Sequence, residues 1–407
     1  MRIAYILTNW PNPTETFAQR EIEQLSRKGF DIRVLAAARA GESLEQCRSR
    51  PVQYRPLLWS KHSLTAILYL ICNYPVGTCR LLFLTLCFMI CSLKEMKSLL
   101  GNFHTIGRFT QYLDRENISH IHAYFLSWPA CMALALALTT RRTYSISGHA
   151  RDIYVEAKGL KLKAKKAQFI TACTCQGLKY LKNILPKTYH GKLHLVYHGI
   201  DVESIYSSPS GPYNKKNTSD GILYAVGRLV AKKGFPCLLH SFARLRAEYP
   251  ACKLLVFGEG PKRDSLEKIS SQLKLNGNVS FLGGKKHSLL MRQLKLADIL
   301  IVPSVIAPDG DRDGIPNVIL EAFALGVPVI ASDLESIREA IIPRKNGLLF
   351  EPGNVRQLTH NIKELLAHKT LQKRLSQKAY LMLKKKFDIK NNTGLLVDLF
   401  KKIPHVP

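Results

Sequence analysis

The chain has 407 residues, 46% hydrophobic and 22% charged, an ordinary balance for a folded globular protein and long enough for two or three domains with real cores. Lys plus Arg number 59 against 30 acids, a formal net charge of +29. That excess favours polyanionic partners, but no aromatic stacking pattern is interleaved with it, so nucleic acid is set aside in favour of an anionic membrane surface or phosphorylated substrates.

The predicted elements begin at once. "RIAYILT" is a short apolar strand, and "TFAQREIEQLSRKGF" carries a helical period that ends at Gly29. "DIRVLAA" is the next strand. The opening residues lack the charged, apolar and cleavage regions of a signal peptide. The stretch 57–100 is rich in Leu, Ile, Phe and Cys. Its longest uncharged piece, 81–93, has 13 residues, against roughly 20 needed to span a bilayer. A buried helical hairpin and a membrane-facing insertion both fit it. The ten cysteines include no CxxC pair and many lie in apolar runs, so free thiols and a reducing compartment are expected.

Residues 206–220 are rich in Pro, Gly, Ser and Asn and read as a linker. Beyond it the alternation returns. "GILYAVGRL" is a strand, "GFPCLLHSFARLRAEYP" a helix and "CKLLVFGEG" a strand. Alternating apolar strands and helices predict parallel sheets covered on both faces. The expected architecture is therefore α/β, with two doubly wound domains at 1–205 and 221–385 facing a cleft. A last amphipathic helix at 386–407 would pack back on the first domain. Ligands of such sheets sit at the carboxyl ends of the strands.

Two features point to a ligand. In "GIPNVILEAFALG" (314–326), Pro316 suits a first helical turn and Gly326 a left-handed C-cap. Asp313 then lies in the preceding loop and Glu321 inside the helix. A buried lone Glu needs a polar partner, which a ribose or a nearby basic residue would supply. The free N–H groups at the helix start suit a diphosphate. In "GRLVAKKG" (227–234), Arg228 and Lys233 stand on the first strand-to-helix turn of the second domain, where they would neutralise a diphosphate leaving group.

Taken together, "GRLVAKKGF", "LLVFGEGP", "FLG", "ADILIVPS" and "DGIPNVILEAFALGVPVIASD" resemble the retaining glycosyltransferases of family 4, which have the GT-B fold. "NWPNPTETFAQREIEQLSRKGF", "HIHAYFLSWPACMALALA", "SISGHARDIY" and "LVYHGID" are similar to its exopolysaccharide and colanic-acid subgroup. The resemblance covers essentially the whole chain and implies transfer of a hexose-type sugar, with retention, from a nucleoside diphosphate sugar. The acceptor implied is a saccharide, often lipid-linked, at the inner face of the cytoplasmic membrane.

The same resemblance implies roles. Glu321 would hold the nucleotide ribose. Asp313 would lie beside the donor sugar, where the family usually has Glu, one methylene longer. Arg228 and Lys233 would stabilise the diphosphate beside Gly227. The backbone of Gly314, Ile315, Pro316, Asn317 and Val318 would meet sugar hydroxyls and phosphate, and Leu282 and Gly283 the base edge. His149 would reach the donor sugar from the first domain. Thr14, Glu15 and Thr16 replace a glycine-rich loop near phosphate or acceptor, or Glu15 caps the helix. "DGDRD" (309–313) imitates a metal site, but positive charge is already supplied, so neither metal nor cofactor is expected. An epimerase or phosphorylase fits less well. A non-catalytic nucleotide-sugar-binding subunit of a membrane assembly is the alternative that Asp313 leaves open. Lysines near 158–166 and the apolar segment 57–100 would hold the first domain on anionic lipid.

Overall fold

The structure is a computed structural model. It describes residues 1–12, 15–39, 51–58, 60–203 and 221–404, so Thr14 and the expected linker lie outside the described residues. The chain divides into two units, one of residues Met1–His198 with Lys390–Pro407, the other Gly199–Ile389.

In the first unit the elements run β1 (Arg2–Asn9), α1 (Thr16–Arg27), β2 (Asp31–Ala38), β3 (Val52–Tyr54), α2 (Lys61–Asn73), α3 (Pro75–Cys91), α4 (Leu93–Gly101) and α5 (Phe103–Arg115). They continue with β4 (His120–Tyr124), α6 (Trp128–Thr140), β5 (Thr143–Gly148), α7 (Ala150–Tyr154), α8 (Leu160–Lys166), β6 (Ile170–Ala172), α9 (Cys175–Ile184) and β7 (Leu193–Leu195). The sheet is parallel in the order β3-β2-β1-β4-β5-β6-β7. β1 is a nearly continuous apolar run, and β4, though it carries His120 and His122, is buried along its whole length, because helices cover both faces.

The second unit repeats the plan with β8 (Ile222–Val226), α10 (Phe235–Leu245), β9 (Lys253–Phe257), α11 (Arg263–Gln272), β10 (Val279–Phe281), α12 (His287–Leu294) and β11 (Ile299–Val302). Then come α13 (Asn317–Leu325), β12 (Val329–Ser332), α14 (Glu335–Arg338), β13 (Leu348–Phe350), α15 (Val355–Ala367) and α16 (Lys369–Lys386). Its parallel order is β10-β9-β8-β11-β12-β13. In each sheet the strand order reverses beside the first strand, at β1/β4 and at β8/β11. Those are the switch points where such sheets bind ligands.

The expected 386–407 helix differs in detail. The lysines 384–386 end α16, and the helix α17 (Ile389–Lys401) starts afresh. Between them the backbone makes a bridge: Ile200 N–H donates to the Phe387 carbonyl, and Ile389 N–H to that of Ile200, each at 3.1 Å. The unit boundaries therefore fall at 198/199 and 389/390 rather than at 205/221 and 385/386. Leu396, Val397 and Phe400 of α17 enter the first unit's core, where Phe400 packs on Phe30, His120, His122 and Phe169.

Candidate active site

In the second unit, four strands deliver their carboxyl ends to one edge. Gly227 N–H donates to the Phe257 carbonyl at 2.9 Å, and Gly258 N–H to that of Gly283 at 3.0 Å. Glycine is required where these turns meet. Gly258 has φ +140°, and a Cβ there would lie 1.9 Å from the Gly227 carbonyl oxygen. Gly234 has φ +61°, and a Cβ would lie 1.9 Å from the Pro303 carbonyl oxygen, so the turn after β8 is pressed against the end of β11.

That approach builds a charged cluster. The Lys233 ammonium donates to Asp313 Oδ2 at 2.7 Å, and the Ser304 hydroxyl donates to the same oxygen at 2.6 Å. Lys232 donates to Asp311 Oδ1 at 3.0 Å and stands 3.6 Å from Asp313 Oδ1. Ser336 fixes the loop by donating to the Asp313 carbonyl at 2.9 Å. Burial pushes the Asp313 carboxyl up, but the two ammonium groups and the hydrogen bonds outweigh it and hold the group below the ordinary carboxylate range. Asp313 is therefore an anion at neutral pH, and neither Asp313 nor Asp311 stands apart from a lysine. The stem of Lys233 passes over Gly227, where an added Cβ would lie 3.2 Å from Cε. Arg228 stands exposed on the same turn.

The second acid is placed one helix further in. Asn317 begins α13, Pro316 takes the N-cap rather than the first turn, and Gly326 ends the helix at φ +72°, as a left-handed cap. Glu321 is 4% exposed, and its Oε1 lies 2.9 Å from His287 Nε2 at the start of α12. Gly314, Ile315 and Val318 surround the helix start beside Asp313. After β10, Leu282 N–H already donates to the Val256 carbonyl at 2.8 Å, and the Gly283 carbonyl accepts from Gly258.

The first unit presents a different arrangement around its own switch point. His149 follows β5 and is buried. Its ring stacks on His198 at 4.9 Å and 7°, with Phe125, Tyr124 and Phe17 around it at 4.5, 4.7 and 5.3 Å. Burial and the neighbouring imidazoles push His149 far below its ordinary range, and burial brings His198 to about 4, so both rings are neutral. Asp152 sets the loop: its Oδ1 accepts from His149 N–H at 2.7 Å and its Oδ2 from Leu126 N–H. Nearby, Glu21 of α1 accepts from the Tyr5 hydroxyl at 3.1 Å and from Tyr124 at 3.4 Å. Glu15 takes the N-cap position of α1 but makes no side-chain capping bond, and Thr16 opens the helix, so the capping role expected for Glu15 is corrected.

Of the residues singled out in the sequence, the structure joins Asp313, Lys233 and Gly227 directly, with Glu321 on the adjoining helix. Sequence reasoning missed Lys232, Ser304, Asp311 as a lysine partner, His287 and His198. The doubled lysine in "AKKG" was a readable signal for Lys232. His287 carried none, being 34 residues from Glu321.

Residues 212–382 match the family model described as "Glycosyl transferases group 1". The chain is similar to the lipopolysaccharide core biosynthesis glycosyltransferase LpsE of Rhizobium meliloti, 28% identical over 183 residues, 45% of this chain and 50% of that protein. It is 29% identical over 152 residues to the putative colanic acid biosynthesis glycosyltransferase WcaL of Salmonella typhimurium, 37% of each chain. The chain thus spans half or less of these two relatives. Among solved structures, Anabaena HepE in complex with UDP and glucose aligns over 99% of this chain and 100% of its own, with TM-score 0.73 and 16% identity. A sucrose-phosphate synthase from Thermosynechococcus elongatus aligns with TM-score 0.74 and 18% identity over 99% and 98%. At that identity the likeness shows the fold, which is GT-B.

Proposed function

We propose, from a chain on the GT-B fold whose residues 212–382 match the family model of group 1 glycosyl transferases, that it transfers a hexose-type sugar from a nucleoside diphosphate sugar to a saccharide acceptor, with retention, in cell-surface polysaccharide synthesis. The observation that carries the reading is the Lys232–Lys233–Asp313–Ser304 cluster at the β8/β11 switch point, beside the start of α13.

Each group has a task that its surroundings support. Lys233 and Arg228 offset the charge growing on the departing diphosphate, and the helix N-terminus adds its dipole. With that charge supplied by Lys233, Arg228 and the helix dipole, no metal ion or cofactor is called for, and Lys232 holds the two aspartates in place. Asp313 is ionised, so it does not donate a proton. It stabilises the positive charge of an oxocarbenium-like sugar, and Lys233 keeps it in place until the phosphate arrives. Glu321, oriented by His287, accepts from the ribose hydroxyls. The Leu282 carbonyl and Gly283 N–H face the base, since their partner groups are already engaged in the sheet edge. His149, held neutral, exchanges a hydrogen bond with a sugar hydroxyl rather than adding a charge. Catalysis is then mostly positioning and electrostatics, with the leaving phosphate accepting the acceptor's proton. A lipid-linked acceptor at the inner membrane face fits the basic surface.

The test is a thermal-shift screen of nucleoside diphosphates and their sugars, UDP-glucose first, on wild type and Glu321→Ala, followed by donor hydrolysis. A ligand that stabilises wild type and not the variant, and is hydrolysed, supports the reading. Binding without turnover in the presence of acceptors favours the non-catalytic alternative. A folded protein that responds to no nucleotide overturns both.

A further inference from the structure

The helices α2 and α3 follow one another at a bend of 109°. α3 is apolar all round, a composition that belongs in a core or against lipid. Its inner face is in a core. A Cβ on Gly77 would lie 2.3 Å from the Thr139 carbonyl oxygen of α6, and Phe88 is fully buried. The outer face is not. Leu82, Phe83, Leu86 and Ile90 form one stripe along α3, with Phe83 68% and Ile90 88% exposed, and on α2 Leu64 and Leu68 are exposed as well. Large apolar side chains left exposed side by side along a helix mark an interaction site.

Charge around the stripe says what covers it. No acid occurs from 46 to 94, where six Lys and Arg stand. None occurs from 157 to 200, where there are nine lysines. The fold brings α3 of the first stretch and α8 of the second together. A Cβ on Gly159, just before α8, would lie 2.5 Å from Phe88 Cε1, so the basic helix starts against the back of α3. Of the acids that border these stretches, Glu95 is buried and paired with Lys163 at 2.8 Å, and Glu156 faces Arg151 at 3.4 Å. Around α8 the ammonium groups of Lys158, Lys161, Lys165 and Lys166 are exposed, as are Lys94 and Lys97 of α4. A second copy of this chain would bring an equally basic rim and be repelled. Among the described residues no single helix is long and apolar enough to cross a membrane.

We propose that α2 and α3 form a shallow wedge that buries the Leu64–Leu68 and Leu82–Ile90 faces in one leaflet of an anionic membrane, with the α4 and α8 lysines on the headgroups. Helices of this kind lie in the interface, about 5 to 10 Å deep, and each lysine near the surface strengthens binding severalfold. The wedge does not depend on the sugar-transfer reading, because it is tested without nucleotide.

The experiment is co-sedimentation of the full chain with phosphatidylcholine vesicles and with vesicles containing phosphatidylglycerol. Binding to the anionic vesicles should exceed the neutral ones by about tenfold or more and fall with salt. Phe83→Glu with Ile90→Glu should abolish it, and Lys161→Glu with Lys165→Glu should weaken it by about tenfold or more. Because the first pair of changes could disturb folding, Phe83→Trp supplies an independent reading: its fluorescence should shift to the blue on anionic vesicles and be quenched by brominated acyl chains. No sedimentation with anionic vesicles at low salt overturns the proposal. So does an unquenched Phe83→Trp, binding that ignores the Phe83 and Ile90 changes, or a stable dimer that those changes dissociate.

Discussion

The two units share a strand order and differ in what they place at the reversal. At β8/β11 the loops gather two lysines and two aspartates, all paired. Around β1/β4 and the adjoining end of β5, loops, strands and α1 together gather neutral imidazoles, aromatic rings and a carboxyl, Glu21, that burial has brought to about 7 against the pull of the Tyr5 and Tyr124 hydroxyls. One scaffold therefore carries a cluster of paired charges in one copy and a buried cluster of aromatic rings and neutral imidazoles in the other. In the second unit the difference lives in loop residues; in the first it also lies in Tyr5 and Tyr124 of the strands and Glu21 of α1.

The largest effect expected from breaking this contrast is at Lys232. Lys232→Met removes a buried cation facing Asp311 and Asp313 and should cost about 3 to 5 kcal/mol in urea unfolding. Lys233→Ala comes next. It should lower kcat/KM for donor turnover by about a hundred- to thousandfold, as loss of one preorganised transition-state partner does.

The neutral copy gives a contrasting pH signature. Glu21 holds its proton to about 7 in the fold, against 4.5 as its ordinary value. Between these pH values the unfolded chain binds fewer protons, so this group makes stability fall as pH rises. Glu21→Gln should gain on wild type by up to about 3 kcal/mol across that window, read from unfolding curves taken at pH 4.5 to 7. The smallest effect is at His149. Without a buried charge to strand, His149→Phe should change stability by less than about 1.5 kcal/mol even as donor turnover is lost. A large loss there would show that the neutral copy hides an essential polar bond.

The sequence displayed the period of most elements, because apolar strands covered on both faces and amphipathic helices leave patterns that local reading detects. β1, β2, β8, β9 and α13 fall where those patterns place them. Asp313 and Glu321 were legible for a related reason: acids in an apolar helix and its loop are costly without a partner. Their partners were not legible. Lys232 and Lys233 are adjacent in a tight turn, where neighbouring side chains take different directions, and nothing in the order of letters says which one reaches Asp313. The His149–His198 stack joins residues distant in the chain. The break at 387–388 was hidden because α16 and α17 both continue a helical period across it. For the 57–100 segment, composition showed apolar residues but not which of them the fold leaves uncovered.

The bridge between Ile200 and 387–389 has a consequence for synthesis. The second unit is an insertion whose two ends are hydrogen-bonded side by side, so it can close on itself as soon as its last residues leave the ribosome. The first unit cannot. It begins first and finishes last, since Phe400, which covers Phe30, His120, His122 and Phe169, is made only after the whole insertion. A nascent chain stopped just after residue 389 would carry a completed second unit behind a first unit with an open core, and a protease should read that order as early protection of the later-made half.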